Sequence, residues 1–477
     1  MPCASVWSAG LPDGGDTREG GRLVVLSNRI PKGDVPAGGL VFALHEALTG
    51  SGGIWIGAAD AGETAEDGLT QIGSGAYDRM TFALTKEEHR QFYLGYANAT
   101  LWPLFHRRAD LLLISEGDFE AYARVNARVA RSIAAMLRPG DIVWIHDYHF
   151  LMVAAELRKL GVTNRIGLFL HIPLPSATDL LALPQSDDFA TWLAAHDLVG
   201  LQAQRDVSTA FDVLRQDPKV QILNDGTWIR EGRVFSVRSF PIGIDAVGFA
   251  KAARDTVVPS LLLERDAPLL IGVDRLDYSK GIPNRFKAFG AYLARRDKDD
   301  PRPTFLQIAP VSRGDVEAYK DIREELERTS GSINGAYSDL NWTPIRYVRR
   351  HVERERLAAL YRRADIALVT PLADGMNLVA KEFVAAQDPE DPGVLILSVF
   401  AGAAEQLSQA LLINPHDAGS GADAIARALA MPLEERKARH AALRQNVFEQ
   451  DVAWWTRTYL SRLREAPVSV DLTPSEA

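Results

Sequence analysis

From Arg22 onward, short runs of apolar and β-branched residues alternate with longer stretches of mixed polarity. The short runs predict strands at Leu23–Ser27, Ile142–His146, Ile166–His171, Leu198–Leu201 and Phe235–Phe240. A second series follows at Leu269–Val273, Thr304–Ile308, Ile366–Val369, Val394–Ser398 and Leu411–Ile413. Between them lie amphipathic stretches such as Phe119–Leu137 and Glu353–Arg363, which predict helices. Strands that alternate with helices in this way predict an α/β protein with parallel sheets covered on both faces. The series breaks near Gly243–Asp266, so two doubly wound domains are expected, over 22–245 and 246–449.

Ligands of such sheets bind beyond the carboxyl ends of the strands, and the unusual residues of this chain fall there. Ser27-Asn28-Arg29 follows the first strand, His146-Asp147-Tyr148-His149 the second and His171-Ile172-Pro173 the third. In the second series, Asp274-Arg275-Leu276-Asp277, Pro310-Val311-Ser312-Arg313 and Leu372-Ala373-Asp374-Gly375 hold equivalent places. A polar edge on both sheets points to a cleft between two domains.

Composition narrows the chemistry of that cleft. The 53 Lys and Arg against 62 Asp and Glu leave a net charge of −9, which argues against a general nucleic-acid surface. An anionic ligand must then meet a local cation cluster. The single cysteine, Cys3, excludes an internal disulfide and a Cys-rich zinc site, and a reducing, cytoplasmic setting fits. No apolar run is long enough to span a membrane. The first 21 residues, and the last dozen from Ala466, are expected to be flexible tails. No GxGxxG follows a strand, which counts against a nicotinamide enzyme.

Arg275 and Lys280 lie on one strand-to-helix loop and suit a diphosphate leaving group without a metal. They also read as solvated cations, or as partners of Asp274 and Asp277. The segment TPLADGMNLVAKEFVAAQ runs from a strand through a glycine loop into a helix whose first N–H groups suit phosphate oxygens. Asp374 there reads equally as the helix cap. Glu382, on a mostly apolar helix, needs a donor: a ribose diol or an internal cation. Gly38-Gly39 permit close backbone approach to a ligand. WIHDYHF is dense in polar groups; Asp147 suits a sugar hydroxyl, and a metal held by His146 and His149 is the weaker alternative. Tyr93 and Trp102 bracket YLGYANATLW, which reads as an aromatic wall or as core.

Taken in order, LVVLSNRI, AGGL, NATLWPLFH, WIHDYHFLMVAAELR, IGLFLHIPLP, VDRLDYSKGIPNRF, QIAPVSRGDVEAYKDIR, VTPLADGMNLVAKEFVAAQDP and LSVFAGAAEQL closely resemble the trehalose-6-phosphate synthases of glycosyltransferase family 20, from about Arg22 to Leu463. The resemblance implies a GT-B fold, two Rossmann-like domains facing across a cleft, with the final helix (Val452–Leu463, within an expected 450–465 segment) crossing back onto the first domain. It implies a retaining transfer of glucose from UDP-glucose to glucose 6-phosphate, without a metal or other cofactor. A homo-oligomer stays open.

Carried onto this chain, the resemblance implies that Arg275 and Lys280 hold the diphosphate and Glu382 the ribose. The backbone of Leu378 and Val379 would lie near the diphosphate, within a donor loop that includes Gly375, Met376 and Asn377. Val352 would meet the uracil through its backbone. Asp374 and His171 would touch the transferred glucose, while Gly38 and Gly39 would approach the donor from the other domain. Arg29, Tyr93 and Arg313 would hold the acceptor phosphate, and Trp102 and Asp147 the acceptor sugar. GGIWIGAAD keeps Trp55 but has Ala58 where many relatives have a second tryptophan near the acceptor. No DxDGT-like segment is present, so a phosphorylated product is expected. The competing readings are a transferase using glycerol 3-phosphate, which makes glucosylglycerol phosphate, and a catalytically silent regulatory paralogue.

Overall fold

The computed structural model describes residues 21–31, 39–223, 226–257, 267–297, 300–311 and 317–466. The expected N-terminal extension up to residue 20, most of the expected C-terminal tail, Gly38 and Arg313 lie outside the described residues.

Ten strands form the first sheet: β1 Leu23–Leu26, β2 Ile54–Ala58, β3 Thr70–Gly73, β4 Asp78–Phe82, β5 Ile142–His146, β6 Arg165–Phe169, β7 Leu198–Leu201, β8 Val220–Ile222, β9 Thr227–Arg230 and β10 Arg233–Ser239. Their spatial order is β3-β4-β2-β1-β5-β6-β7-β10-β9-β8. The central strands pair in parallel, as expected. Both edges are antiparallel, which the alternation of strands and helices did not reveal. The edge strands β3 and β8 are short, mixed in polarity and largely exposed, so they carry no continuous apolar signal. By contrast β1, β5 and β7 are buried along their whole length.

The second sheet holds β11 Leu269–Val273, β12 Thr304–Ile308, β13 Ile345–Val348, β14 Ile366–Val369, β15 Val394–Ser398 and β16 Leu411–Ile413, in the order β13-β12-β11-β14-β15-β16. Every pair is parallel. The strand order reverses between β11 and β14, which makes that crevice the ligand position of a doubly wound sheet. The first sheet reverses in the same way between β1 and its neighbours β2 and β5. Among the described residues no helix is long and apolar enough to cross a membrane.

The chain passes from the first sheet to the second through Phe240–Ile244 and returns at Gln450–Asp451. The two crossings touch: the Val452 N–H donates to the Ile244 carbonyl at 3.1 Å. Asp451 then caps the last helix, Val452–Glu465, by accepting from the Trp454 N–H at 2.7 Å. Trp455, Tyr459 and Leu463 recur every four residues on this helix, and all three are buried. The helix lies on the first sheet. Tyr459 stacks on Trp144 with centroids 4.9 Å apart, and its hydroxyl donates to the Leu168 carbonyl at 2.9 Å. A side chain at Gly167 or Gly200 would collide with the Tyr459 ring, so these glycines make the seat for it.

Tyr459→Ala should therefore destabilise the protein by about 3–5 kcal/mol, the usual cost of a large core aromatic. Tyr459→Phe, which loses only the hydrogen bond, should cost about 1–3 kcal/mol. Denaturant titration of the two variants beside the parent checks both values, and equal stabilities would overturn this seating of the helix.

Candidate active site

The crevice between β11 and β14 holds an ion pair. After β11, a short 3-10 turn at Tyr278–Lys280 brings the Lys280 ammonium to 2.6 Å from Asp374 Oδ2, on the loop after β14. Both side chains are largely buried. Burial pushes the Asp374 carboxyl up, but the adjacent Lys280 charge and hydrogen bonds outweigh it and hold the carboxyl below its ordinary range. Burial pulls the Lys280 ammonium down, and the charges of Asp374 and Asp274 outweigh that and hold it up. Asp374 does not cap the following helix. Asn377, at φ 89°, takes that role by accepting from the Ala380 N–H at 3.2 Å, and its amide donates to Asp374 Oδ2 at 3.0 Å. The loop from Gly375 to Asn377 is buried, while Leu378 and Val379 at the helix start keep some exposure.

Arg275 is exposed beside this crevice. Among the described residues Asp274 does not form an ion pair with Arg275 or Lys280, one of the arrangements the sequence allowed. Asp277 accepts from the Ser279 N–H and so builds the turn that carries Lys280. Asp274 is taken by Arg285, a fully buried arginine that also donates to Gln307 and Thr370. Arg285 thus ties β11, β12 and β14 together directly beneath the loop. Sequence reasoning missed it; the signal was an arginine on the apolar face of the amphipathic helix Ile282–Arg295, in the buried row with Ile282, Phe286, Phe289 and Tyr292.

On the next helix, Leu378–Ala386, the two adjacent charges have separate roles. Lys381 is fully buried, and its ammonium donates 2.7 Å to the Ile242 carbonyl in the first crossing. Burial pulls its pKa down to about 7. Glu382 makes no hydrogen bond or ion pair among the described residues, so the alternative of an internal cation partner finds no contact among them. Burial pushes its pKa up to about 7, and Arg354 opposes this only in part. A half-buried carboxylate with no donor among the described residues fits a site awaiting hydroxyls. Val352, half-buried, precedes the helix that carries Arg354, and its carbonyl lies 2.9 Å from His351 Nδ1.

The first sheet supplies the opposite wall. Asp147 follows β5 with φ 72°, a conformation rare for a residue with a side chain and frequent at functional sites. Its carboxylate accepts from the His171 N–H at 3.3 Å. His171 and His146 share a ring contact at 3.1 Å. Gln202 places its amide nitrogen 3.4 Å from His171 Nδ1, and its oxygen accepts from the Ile242 N–H at 3.0 Å. That second bond fixes the amide orientation, so Gln202 donates to His171 Nδ1 and His171 Nε2–H donates to His146. Burial pulls His171 down to about 3 and His146 well below the usual range, so both are neutral. Both ring nitrogens of His171 are therefore engaged, as is its main-chain N–H.

Beside β1, a pocket of about 340 Å³ is lined by Arg29, Ala58, Asp60, His89 and Tyr93 among others. Ala58 opens the pocket where a tryptophan would fill it. Tyr93 stacks nearly parallel on His149, at 5.7 Å. Trp102, by contrast, is buried against His106 and Tyr148 as part of the core, and so backs the pocket wall. Gly39 begins the helix Gly39–Ser51. Among the described residues no group of three or more His, Cys, Asp or Glu is placed to hold a metal ion.

The walls meet across the cleft. A side chain at Gly375 would collide with the His171–Ile172 backbone, so only glycine allows the two loops this approach. Arg205 reaches from the first domain to the carbonyls of Val399, Phe400 and Asp374. Glu405 answers from the second domain by accepting from the Gln204 and Arg205 N–H groups.

Two parallel-sheet Rossmann-like domains with their switch points facing one cleft, and a cation–carboxylate pair beneath a helix start, define a GT-B glycosyltransferase. The chain belongs to glycosyltransferase family 20, whose family model matches residues 27–465. It is 42% identical over 459 residues to the trehalose-6-phosphate synthase of Enterobacter sp. (strain 638), covering 94% of this chain and 97% of that one. An E. coli structure described as trehalose-6-phosphate bound with UDP-2-fluoro glucose superposes with a TM-score of 0.89 at 42% identity, over 93% of this chain and 99% of that one. An α,α-trehalose-phosphate synthase (UDP-forming) of Burkholderia xenovorans in complex with glucose-6-phosphate gives 0.88 at 43%, over 93% and 100%.

The free Glu382 carboxylate has a measurable signature. Its folded pKa of about 7 exceeds the ordinary 4.5. The folded state therefore binds the extra proton between those values, and stability falls as pH rises through that window. Glu382→Gln removes this loss. Without ligand, the variant should melt with the parent below about pH 4.5 and above it at pH 8. Differential scanning calorimetry across this range checks the sign.

Proposed function

We propose that this chain is a retaining glucosyltransferase that moves glucose from UDP-glucose to glucose 6-phosphate, giving α,α-trehalose 6-phosphate and UDP. The observation that carries the reading is the buried Lys280–Asp374 pair at the β11/β14 switch point, facing the Asp147–His171 wall across the cleft. Relatives at this level of identity are trehalose-6-phosphate synthases, and solved ones hold a UDP-sugar analogue or glucose 6-phosphate.

In this reading the diphosphate lies over the start of the Leu378–Ala386 helix. Lys280 and the exposed Arg275 face its oxygens, and backbone N–H groups near Leu378 and Val379 complete the cradle. The ribose diol donates to Glu382, and the uracil lies along the Val352 backbone. Asp374 orients Lys280 and accepts from a glucose hydroxyl; the His171 main chain bounds the same sugar. Gly38 and Gly39 approach the donor from the first domain. Arg29, Tyr93 and Arg313 hold the acceptor phosphate, Asp147 accepts from an acceptor hydroxyl, and Trp102 supports the wall behind it.

The bond from glucose C1 to the β-phosphate oxygen breaks, and the acceptor O1 bonds to C1 on the same face. The acceptor proton passes to the departing phosphate oxygen. The protein contributes position and charge, since no carboxylate is assigned as a nucleophile. Arg275 and Lys280 supply the charge that a divalent cation supplies in other transferases, so no cofactor is required. The glycerol 3-phosphate reading is not favoured, because a solved relative carries a hexose phosphate.

Arg275→Ala and Lys280→Ala should each lower kcat by about 10²–10³-fold with the fold intact. Normal rates in both variants would place the donor site elsewhere. Activity should be unchanged in excess EDTA; strict dependence on added Mg²⁺ would overturn the metal-free reading.

Free glucose leaves the phosphate-binding arginines unpaired. It should react at least about a hundredfold more slowly than glucose 6-phosphate at equal concentration. Product analysis with glucose, glucose 6-phosphate and glycerol 3-phosphate decides this, and a preference for glycerol 3-phosphate would sink the acceptor assignment.

A further inference from the structure

A second cavity, of about 740 Å³, opens where the end of β10 meets the last helix. None of the cleft residues described above lines it. Arg457, Thr458, Ser461 and Arg462 present one helical stripe to it, and Arg238 and Ser239 face them from the strand. The stripe follows from spacing: positions 457, 458, 461 and 462 share a helix face beside the buried row Trp455, Tyr459 and Leu463.

Three guanidiniums around one cavity are unusual on a chain of net charge −9. Arg457 has no ion pair among the described residues. Arg462 has only Glu465, at 3.9 Å and largely exposed. Its place in the last helical turn is explained by the helix dipole, but Arg457 lies in the middle of the helix, where the dipole gives no such reason. Arg238 has partners of its own and adds charge at the strand end. Glu465 and the helix C-terminus oppose an anion, and the three cations outweigh them.

We propose that this cavity is a second anion site, taking a phosphoryl group carried on a small polyhydroxylated molecule. Guanidinium forks match phosphoryl oxygens in geometry as well as charge. The Thr458 hydroxyl suits a sugar hydroxyl, those of Ser239 and Ser461, which donate to Gln204 and Glu465, can accept from one, and the volume exceeds what a bare phosphate fills. It lies within the range of small-molecule sites, about 300–1,000 Å³.

The position gives the site a physical connection to the cleft. Ser239 donates to Gln204 at 3.2 Å, and the Phe240 N–H donates to the Leu201 carbonyl. Two residues on, Ile242 is held by Gln202, which touches His171, and by Lys381, the neighbour of Glu382. A ligand joining strand end to helix braces both interdomain crossings.

Calorimetric titration of the full chain with inorganic phosphate and, separately, with ribose 5-phosphate tests this at about 0.15 M ionic strength. The parent should bind one more equivalent of ribose 5-phosphate than the Arg457→Ala/Arg462→Ala variant does. Arg457→Lys, which keeps the charge and loses the fork, should weaken that equivalent by about tenfold. Comparison with the double variant cancels any binding in the cleft. The double variant should keep its transferase rate within about twofold in the absence of added phosphate, because its residues lie outside the cleft; this reading stands or falls apart from the proposed reaction. Identical stoichiometry and affinity in parent and double variant would overturn the site. Equal affinity for inorganic phosphate and ribose 5-phosphate would overturn the sugar component.

Discussion

The peptide of Ile242 is hydrogen-bonded from both sides. Its N–H donates to Gln202, at the carboxyl end of the first sheet, and its carbonyl accepts from Lys381, inside the second domain. A GT-B cleft works only if loops on two separate sheets keep their relative places within a fraction of an ångström. The crossing between the sheets would otherwise be the softest part of the chain. Pinning it to the His171 wall on one side and to the Leu378–Ala386 helix on the other gives the two walls a common reference. Burying a lysine for this is costly, as its lowered pKa records.

The donor loop is assembled on the same plan, with structural tasks handed to residues that leave the chemical groups free. Asn377 caps the helix, so Asp374 is available to Lys280. Arg285 neutralises Asp274 beneath the loop, so Lys280 faces one carboxylate in contact rather than two. Asp277 forms the turn that aims Lys280. Among the described residues Glu382 is left without a donor in a place that penalises its charge. Asn377 in this loop and Asp147 on the facing wall are both at positive φ, as are Arg107 and Glu231 elsewhere.

Much of this was legible in the chain. All ten expected strands form, to within one or two residues at their ends, because central parallel strands are buried on both faces and read as unbroken apolar runs. Among the described residues six strands escaped notice: β3, β4, β8, β9 and β13, whose residues are mixed and partly exposed, and β2, a buried but short apolar run that follows a glycine pair. Lys280 and Asp374 were both singled out as chemistry-bearing residues, but nothing in their spacing joined them: they lie 94 positions apart. The placing of Trp102 was less legible. An aromatic next to a site and an aromatic behind it have the same local sequence, and only packing against Tyr148 and His106 distinguishes them.

By itself the sequence determined the strand and helix periods, the polar residues at the strand ends and hence the existence of a cleft, and the exclusion of an internal disulfide. These are local properties, set by side-chain spacing of two or 3.6 residues and by residue identity. The tertiary structure decided which charges meet. It gave Arg285 to Asp274, Lys280 to Asp374 and Lys381 to the crossing, and it left Glu382 open. An ion pair or a buried donor depends on distances of a few ångströms between segments far apart in the chain. Those distances exist only after strand order, crossover path and the seating of the last helix have been chosen by packing of the whole.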